Sequence, residues 1–305
     1  MPQVDEQTGL VKPVKLWETR LQLHPEAHTD SVDFFHEFFK LHAQNPRLDF
    51  LEKILGAFSR LPYENVSKIL KLNRYFDEAD RRIRLPEEVI SDHVNRHLGG
   101  TCFALTYFLQ AILIRNGFQT YPVMAHMRAG QNIHTANIVI LGGKKFLVDP
   151  GYLLNHPMEF NPARRRLYKT AFTGVELRFD PGDGWYNLFT FDRAEVKWRY
   201  RFRDVPVSWA EFLRHWQASF FRPSMHGISL TRTVPGGLIF VHKNFMREVR
   251  FGEKRNIRFK KNDYALVSNI FGIREDLIAE AAAALNENLE LERRWGVFKP
   301  KETRL

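Results

Sequence analysis

Thiol chemistry has one residue to work with in this sequence, because its 305 residues include a single cysteine, Cys102. One thiol excludes an intrachain disulfide framework and cannot by itself build a thiolate zinc site, so any use of Cys102 rests on its own reactivity. Long apolar runs are also missing: no segment approaches the ~18 consecutive apolar residues of a membrane span. The N-terminal stretch carries Asp5 and Glu6 where a secretory signal would have a basic start followed by an apolar run. A soluble, cytoplasmic protein is therefore expected. Internal repeats and low-complexity tracts are absent as well.

Acids fall short of bases, with 35 Asp and Glu against 45 Lys and Arg, which leaves a formal net charge of +10. Such an excess attracts nucleic acid, an anionic membrane surface or a phosphorylated small molecule through the same long-range field. The plainer reading is a solvated basic surface, and the run Arg164, Arg165, Arg166 carries that reading too. Neither a recognition-helix signature nor an RNA-binding aromatic pair occurs, and phenylalanine at helical spacing reads as core, so nucleic acid is not the expected partner. Hydrophobic residues at 44% and charged residues at 26% describe a globular chain, long enough for two or three modules.

Periodicity divides the chain into a helical part (1–117), a β part (118–205) and a mixed α/β part (206–305). Val32 to Leu41 and Leu48 to Phe58 place apolar residues at helical spacing. Pro86 with Glu87 and Glu88 is a helix start, and Gly99-Gly100 interrupts that helix. Phe103 to Arg115 is helical again, with Gly117 at its C-terminal end. Gln119 to His126, His134 to Leu141 and Lys145 to Val148 are short β-prone runs, the last two joined by a Gly142-Gly143 turn. Residues 156–206 read as irregular strands and loops. Ser208 to Phe220 is a helix, followed by strands around 227–232, 238–242 and 246–251, with a turn at Pro235-Gly236-Gly237, and by a final helix from about Glu275 to Glu292.

A lone cysteine is commonly a small buried hydrophobe. Cys102, however, falls in the first turn of a helix, behind glycines that let backbone N–H groups approach a ligand. The helix dipole there favours negative charge, and the N–H groups can hold an oxyanion. A nucleophilic thiol also needs a base, and the base needs a group that fixes its tautomer. Among the 12 histidines, His134 opens a β-run whose hairpin partner ends in Val148-Asp149-Pro150-Gly151, so antiparallel pairing brings His134 and Asp149 toward one end of the hairpin. Taken singly, the histidine reads as a strand-end surface residue and Asp-Pro-Gly as a turn. A metal reading of His93 and His97, four apart on a helix, lacks further ligands and yields to a solvated helix face, so no metal is expected.

Gly99-Gly100-Thr101-Cys102-Phe103, a histidine 32 residues later and Leu147-Val148-Asp149-Pro150-Gly151-Tyr152 a further 15 on resemble, in order and separation, the triad motifs of arylamine N-acetyltransferases. Leu61-Pro62-Tyr63-Glu64-Asn65-Val66 is similar to the family's Pro-Phe-Glu-Asn-Leu segment, and Phe172-Thr173-Gly174 through Arg178 to a Thr-Gly-x-x-x-Arg-like stretch. The resemblance covers most of the chain and less distinctly its last third. It departs at Leu98, Ala104 and Pro150, where the family commonly has arginine, glutamate and valine.

The resemblance implies an α+β fold with an N-terminal helical bundle, a central antiparallel β-barrel and a C-terminal α/β lid. It implies a catalytic triad of Cys102, His134 and Asp149 with papain-like geometry, and a ping-pong transfer of acetyl from acetyl-CoA, as co-substrate, through the Cys102 thioester to an arylamine or hydrazine. By motif position, Tyr63, Phe103 and Phe172 would shape the acceptor pocket, and Gly174 and Arg178 would lie near coenzyme A. Related chemistry on the same triad, such as amide synthesis or thioester hydrolysis with another acyl donor, is the second reading. A catalytically silent basic binding protein is the third.

Overall fold

The computed structural model describes Leu16 and residues 18–297; Asp5 and Glu6, on which the expectation about a signal sequence rests, lie outside the described residues. The chain opens with helices α1 (Thr29–Phe39) and α2 (Leu48–Phe58), a two-residue strand β1 (Tyr63–Glu64), and helices α3 (Val66–Arg74), α4 (Ala79–Arg82), α5 (Pro86–Arg96) and α6 (Cys102–Arg115). Strands β2 (Gln119–Met127), β3 (Gly130–Leu141), β4 (Lys144–Val148), β5 (Met158–Phe160), β6 (Arg166–Lys169), β7 (Gly174–Asp180), β8 (Trp185–Phe191) and β9 (Val196–Phe202) follow. After them come α7 (Trp209–Ala218), β10 (Ser229–Val234), β11 (Gly237–His242), β12 (Phe245–Arg250), β13 (Glu253–Arg258), α8 (Tyr264–Phe271) and α9 (Glu275–Arg294).

The amphipathic helices form where the spacing predicts them. In α2, Phe50, Leu51, Ile54, Leu55 and Phe58 make one apolar stripe and all are buried. Pro86 starts α5 in its first turn, ahead of Glu87 and Glu88, and His97 ends it in the left-handed conformation at φ 58°. Helix α6 is different, because every residue from Cys102 to Leu113 is buried and no polar face remains. One side packs with α1, α2, α5 and α7 around Phe35, Phe58, Phe108, Phe212 and Trp216, and the other meets β2 and β3.

Strands β2–β9 form one antiparallel sheet in the order β5-β4-β3-β2-β9-β8-β7-β6. It curls into a nearly closed barrel filled by Val123, Ile138, Leu147, Leu177, Leu188 and Phe202. Its edges β5 and β6 meet through side chains: Arg166 pairs with Glu159, and the Tyr168 hydroxyl donates to the Glu159 carbonyl. Residues 156–206, read from the sequence as irregular, thus supply five of the barrel's strands. Strand β3 starts at Gly130, so His134 does not open it; it lies inside the strand, opposite Ala125.

A second antiparallel sheet runs β1-β10-β11-β12-β13, covered by α8 and α9. Its core includes Val66, Ile69 and Leu98 from the helical part, while Phe212, Trp216 and Phe220, from the stretch read with the last part of the chain, pack into the helical core. No helix among the described residues is long and apolar enough to cross a membrane.

Candidate active site

Cys102 is the first residue of α6, with Thr101 extended before it as N-cap. Its position is set by what the two preceding glycines touch. A Cβ on Gly99 would lie 1.9 Å from the Pro62 carbonyl oxygen, and the Gly100 backbone bridges to β1, donating to the Pro62 carbonyl at 3.3 Å and accepting from the Glu64 amide at 3.0 Å. The glycines therefore serve close chain packing behind the thiol, where the sequence suggested room for a ligand. Two buried bonds and one half-buried bond tie α6 to the barrel: the Thr106 hydroxyl donates to the Thr135 carbonyl (3.2 Å), the Asn137 amide to the Thr106 carbonyl (2.9 Å) and, half-buried, the Thr120 hydroxyl to Gln110 (3.1 Å). Together they fix the distance between the start of α6 and His134 on β3.

The structure brings Cys102, His134 and Asp149 together. His134 Nε2 lies 2.8 Å from Asp149 Oδ2, both groups are buried, and the other ring nitrogen is left for the thiol. The same Asp149 oxygen accepts from the Tyr200 hydroxyl at 2.6 Å, while Oδ1 accepts from the Tyr152 amide at 3.2 Å. Burial alone would lower the His134 pKa; the charge and hydrogen bond of Asp149, joined by Cys102, override it and raise the imidazole to about 10. Gly151 lies against the whole group, since a Cβ there would stand 2.8 Å from His134 Cε1, 2.9 Å from Cys102 Cβ and 3.3 Å from Asp149 Oδ1. No side chain fits at this position without moving these three residues.

Cys102 and His134 line a cavity of about 540 Å³ between the two sheets and the helical part. Tyr63 and Phe172 line it as well. Burial, reinforced by Cys102, holds the Tyr63 phenol well above its ordinary range, so it stays a neutral hydrogen-bonding group. Phe103 does not reach the cavity: one residue along α6 it is turned by about 100° from Cys102 and is fully buried against Phe212 and Trp216. Gly174 and Arg178 do not line it either. Gly174 makes room for the Phe191 ring, and Arg178 is held in a two-bond pair with Glu176 (2.6 and 2.7 Å) over the Phe189 ring.

Cations do line the cavity, at positions that no motif marked. Lys197 and Lys254 pair with Glu195 and Asp192, whereas Arg199, Arg222, Arg247 and Lys68 have no carboxylate within ion-pair distance among the described residues. In the run of three arginines, Arg165 and Arg166 pair with Glu176 and Glu159 at the barrel wall. His93 is held by the Leu98 carbonyl (3.1 Å) and stacks on Phe39, and among the described residues no cluster suited to a metal ion occurs.

Arg84 is a second residue without a sequence signal. Only 3% exposed, it donates to the Gly99 carbonyl (2.7 Å), Ser67 Oγ (2.7 Å), Asp92 (2.7 Å) and Glu88 (3.3 Å), and its Nη1 lies 3.5 Å from the fully buried Glu64. A cation therefore braces the Gly-Gly segment from α5's side, while Leu98, beside those glycines, joins the apolar core of the second sheet.

Comparison with known proteins agrees with this architecture. An N-acetyltransferase family model matches residues 47–278. A search of curated proteins gives no match. The structure is similar to the arylamine N-acetyltransferase from Mycobacterium abscessus (TM-score 0.71, 18% identity, covering 90% of this chain and 99% of that one). It is also similar to the Salmonella typhimurium enzyme (TM-score 0.69, 16% identity, 84% and 99%) and to the Mycobacterium marinum enzyme in complex with CoA (TM-score 0.65, 19% identity, 87% and 98%). At these identities the solved structures establish the shared fold, and the family match, which spans well over half of the sequence, establishes descent: the chain is an enzyme that belongs to the arylamine N-acetyltransferase family.

Proposed function

We propose that this enzyme moves an acetyl group from acetyl-CoA to an aromatic amine or hydrazine by a ping-pong mechanism, with Cys102 as nucleophile, His134 as proton carrier and Asp149 as the group that orients His134. The observation that carries the reading is the buried His134–Asp149 pair beside the thiol at the inner end of the cavity. Cys102 attacks the thioester carbonyl, and the backbone N–H groups of the first turn of α6, which have no partner within the helix, face the developing oxyanion. The carbon–sulfur bond to coenzyme A then breaks, and the imidazolium of His134 gives its proton to the departing thiolate. In the second half, the amine attacks the acetyl-Cys102 carbonyl, His134 takes the amine proton, and the Cys102 thiolate leaves. Tyr63 and Phe172 would flank the acceptor ring. Arg199 and Arg247, on the barrel and second-sheet walls of the cavity and half-buried, would meet the coenzyme A phosphates.

Intact-mass measurement after mixing the chain with acetyl-CoA alone tests the reading. One acetyl group, mapped to Cys102 and discharged by an added aromatic amine, is the expected result. An unlabelled protein whose Cys102 is still alkylated rapidly by iodoacetamide near neutral pH would turn the assignment to a different acyl donor.

The raised His134 pKa gives a stability signature. Its folded value, about 10, exceeds the ordinary 6.5, so the charged imidazole's contribution is present in full below about pH 6.5 and is lost as pH rises through about 10. Urea unfolding of wild type and His134→Gln should show a stability gap that narrows across this window by an amount on the order of a few kcal/mol. A gap that stays constant from pH 6.5 to 10 would mean that His134 is uncharged in the folded enzyme.

A further inference from the structure

Lys68, on α3, stands in the cavity wall with only 6% of its surface exposed. Its ammonium donates to the Ser219 carbonyl (3.1 Å) and hydroxyl (2.6 Å) and lies 4.6 Å from the centre of the Phe220 ring. These partners are neutral. The two acids that line the cavity, Asp192 and Glu195, are taken by Lys254 and Lys197, and among the described residues no carboxylate is within ion-pair distance of Lys68. Lysine is almost never buried without a counter-charge, because removing an ammonium from water is expensive and neutral acceptors recover only part of that free energy. Burial pulls Lys68 down to about 8, with the charge at Cys102 acting in the opposite direction and the Arg82 guanidinium, which also lies over Phe220, adding to the lowering.

Burial separates Lys68 from the other cations without an ion-pair partner. Arg199, Arg222 and Arg247 are half-buried, whereas Lys68 is buried in the same wall as Cys102 and Ser219, close enough to the thiol for a charge at Cys102 to act on its ammonium. The pantetheine arm of a coenzyme A thioester keeps its phosphates far from the reacting carbon, so an anion that meets Lys68 belongs to the reacting end of a substrate. No hydrogen bond joins Lys68 to Cys102 among the described residues, and the thiol already has His134 as its cationic neighbour.

We infer that Lys68 is a specificity residue, the counter-charge for a carboxylate carried close to the reacting centre, either at the far end of the transferred acyl group or on the acceptor amine. The inference rests on the acyl-transfer reading and specifies which substrates that site favours. The ammonium has a third N–H beyond the two bound to Ser219, and a carboxylate placed against it supplies the counter-charge that Ser219 and Phe220 do not.

The test compares matched substrates in each half-reaction. Loading of Cys102 is timed with acetyl-CoA against malonyl-CoA and succinyl-CoA, and its discharge with aniline against 3- and 4-aminobenzoate, for wild type, Lys68→Met and Lys68→Gln. Wild type is expected to favour the carboxylate-bearing partner by about tenfold or more in kcat/KM in one half-reaction, which identifies the source of the carboxylate, and both variants are expected to lose that ratio. Free benzoate or succinate should also slow iodoacetamide alkylation of Cys102 in wild type and not in the variants, a readout that needs no acyl transfer. Equal handling of neutral and carboxylated substrates by wild type overturns the inference and leaves the acyltransferase intact. So does a preference that survives in Lys68→Met, or an equal loss of rate with both kinds of substrate. Should acetyl-CoA fail to label wild type, the acyl-donor assignment fails, and the alkylation measurement still decides the role of Lys68.

Discussion

An Asp149→Asn enzyme should acetylate Cys102 about 10⁴-fold more slowly than wild type while keeping its fold. The wild-type carboxylate accepts three hydrogen bonds, from His134 Nε2 and the Tyr200 hydroxyl on Oδ2 and from the Tyr152 amide on Oδ1. Asparagine has one accepting oxygen and one donating NH₂. With its oxygen toward the Tyr152 amide, the NH₂ faces His134, which must then accept at Nε2 and carry its proton on the nitrogen meant to receive one from the thiol. With its oxygen toward His134, the NH₂ confronts the Tyr152 amide, donor against donor, in a fully buried site. Single-turnover acetylation followed by mass, with circular dichroism to check the fold, measures the loss. A drop below about tenfold would mean that Asp149 does not set the tautomer of His134.

Replacing Arg84 with leucine should destabilise the chain by about 3–5 kcal/mol and also slow acetylation of Cys102. The guanidinium is the cation beside Glu64, whose carboxylate keeps only its bonds from the Ser67 amide (2.9 Å) and hydroxyl (2.6 Å) once Arg84 is gone. Asp92 and the Gly99 carbonyl lose 2.7 Å partners at the same time. Gly99 stands three residues before Cys102, so a loosened segment displaces the thiol; on the acyl-transfer reading a shift near 1 Å is worth about 10²-fold in rate. Denaturant unfolding reads the first effect and single-turnover kinetics the second. Arg84→Lys, which keeps the charge and loses the planar fork, should fall between the two in both measurements. If stability falls and the rate of the still-folded fraction is unchanged, Arg84 only holds the fold.

The approach of Cys102, His134 and Asp149 was legible in the sequence for a physical reason. Antiparallel pairing across a short Gly-Gly turn brings a histidine on one strand and an aspartate just past the other toward the same end of the hairpin. Cys102 was legible because glycines followed by an apolar period mark a helix start. Arg84 was not, since Arg81, Arg82 and Arg84 occur within four residues and nothing local distinguishes the exposed Arg81 from its two buried neighbours. Lys68 and Tyr200 owe their positions to Ser219 and Asp149, 151 and 51 residues away. Phe103 was read by its adjacency to Cys102, and on a helix adjacency means a turn of about 100°. Helices α3, α4 and α8 and strand β13 were passed over because they are short or, like β13 with its run of charges, lack an alternating apolar face.

The burial of α6 on every side also bears on when Cys102 and His134 come together. A helix without a wet face has no stable existence apart from its surroundings, so the helical part and the barrel must consolidate around it in one event. Cys102 begins that helix and His134 sits on the barrel wall that encloses it. On the acyl-transfer reading, the thiol therefore meets its base only once both parts have folded, and an unfolded chain presents an ordinary cysteine.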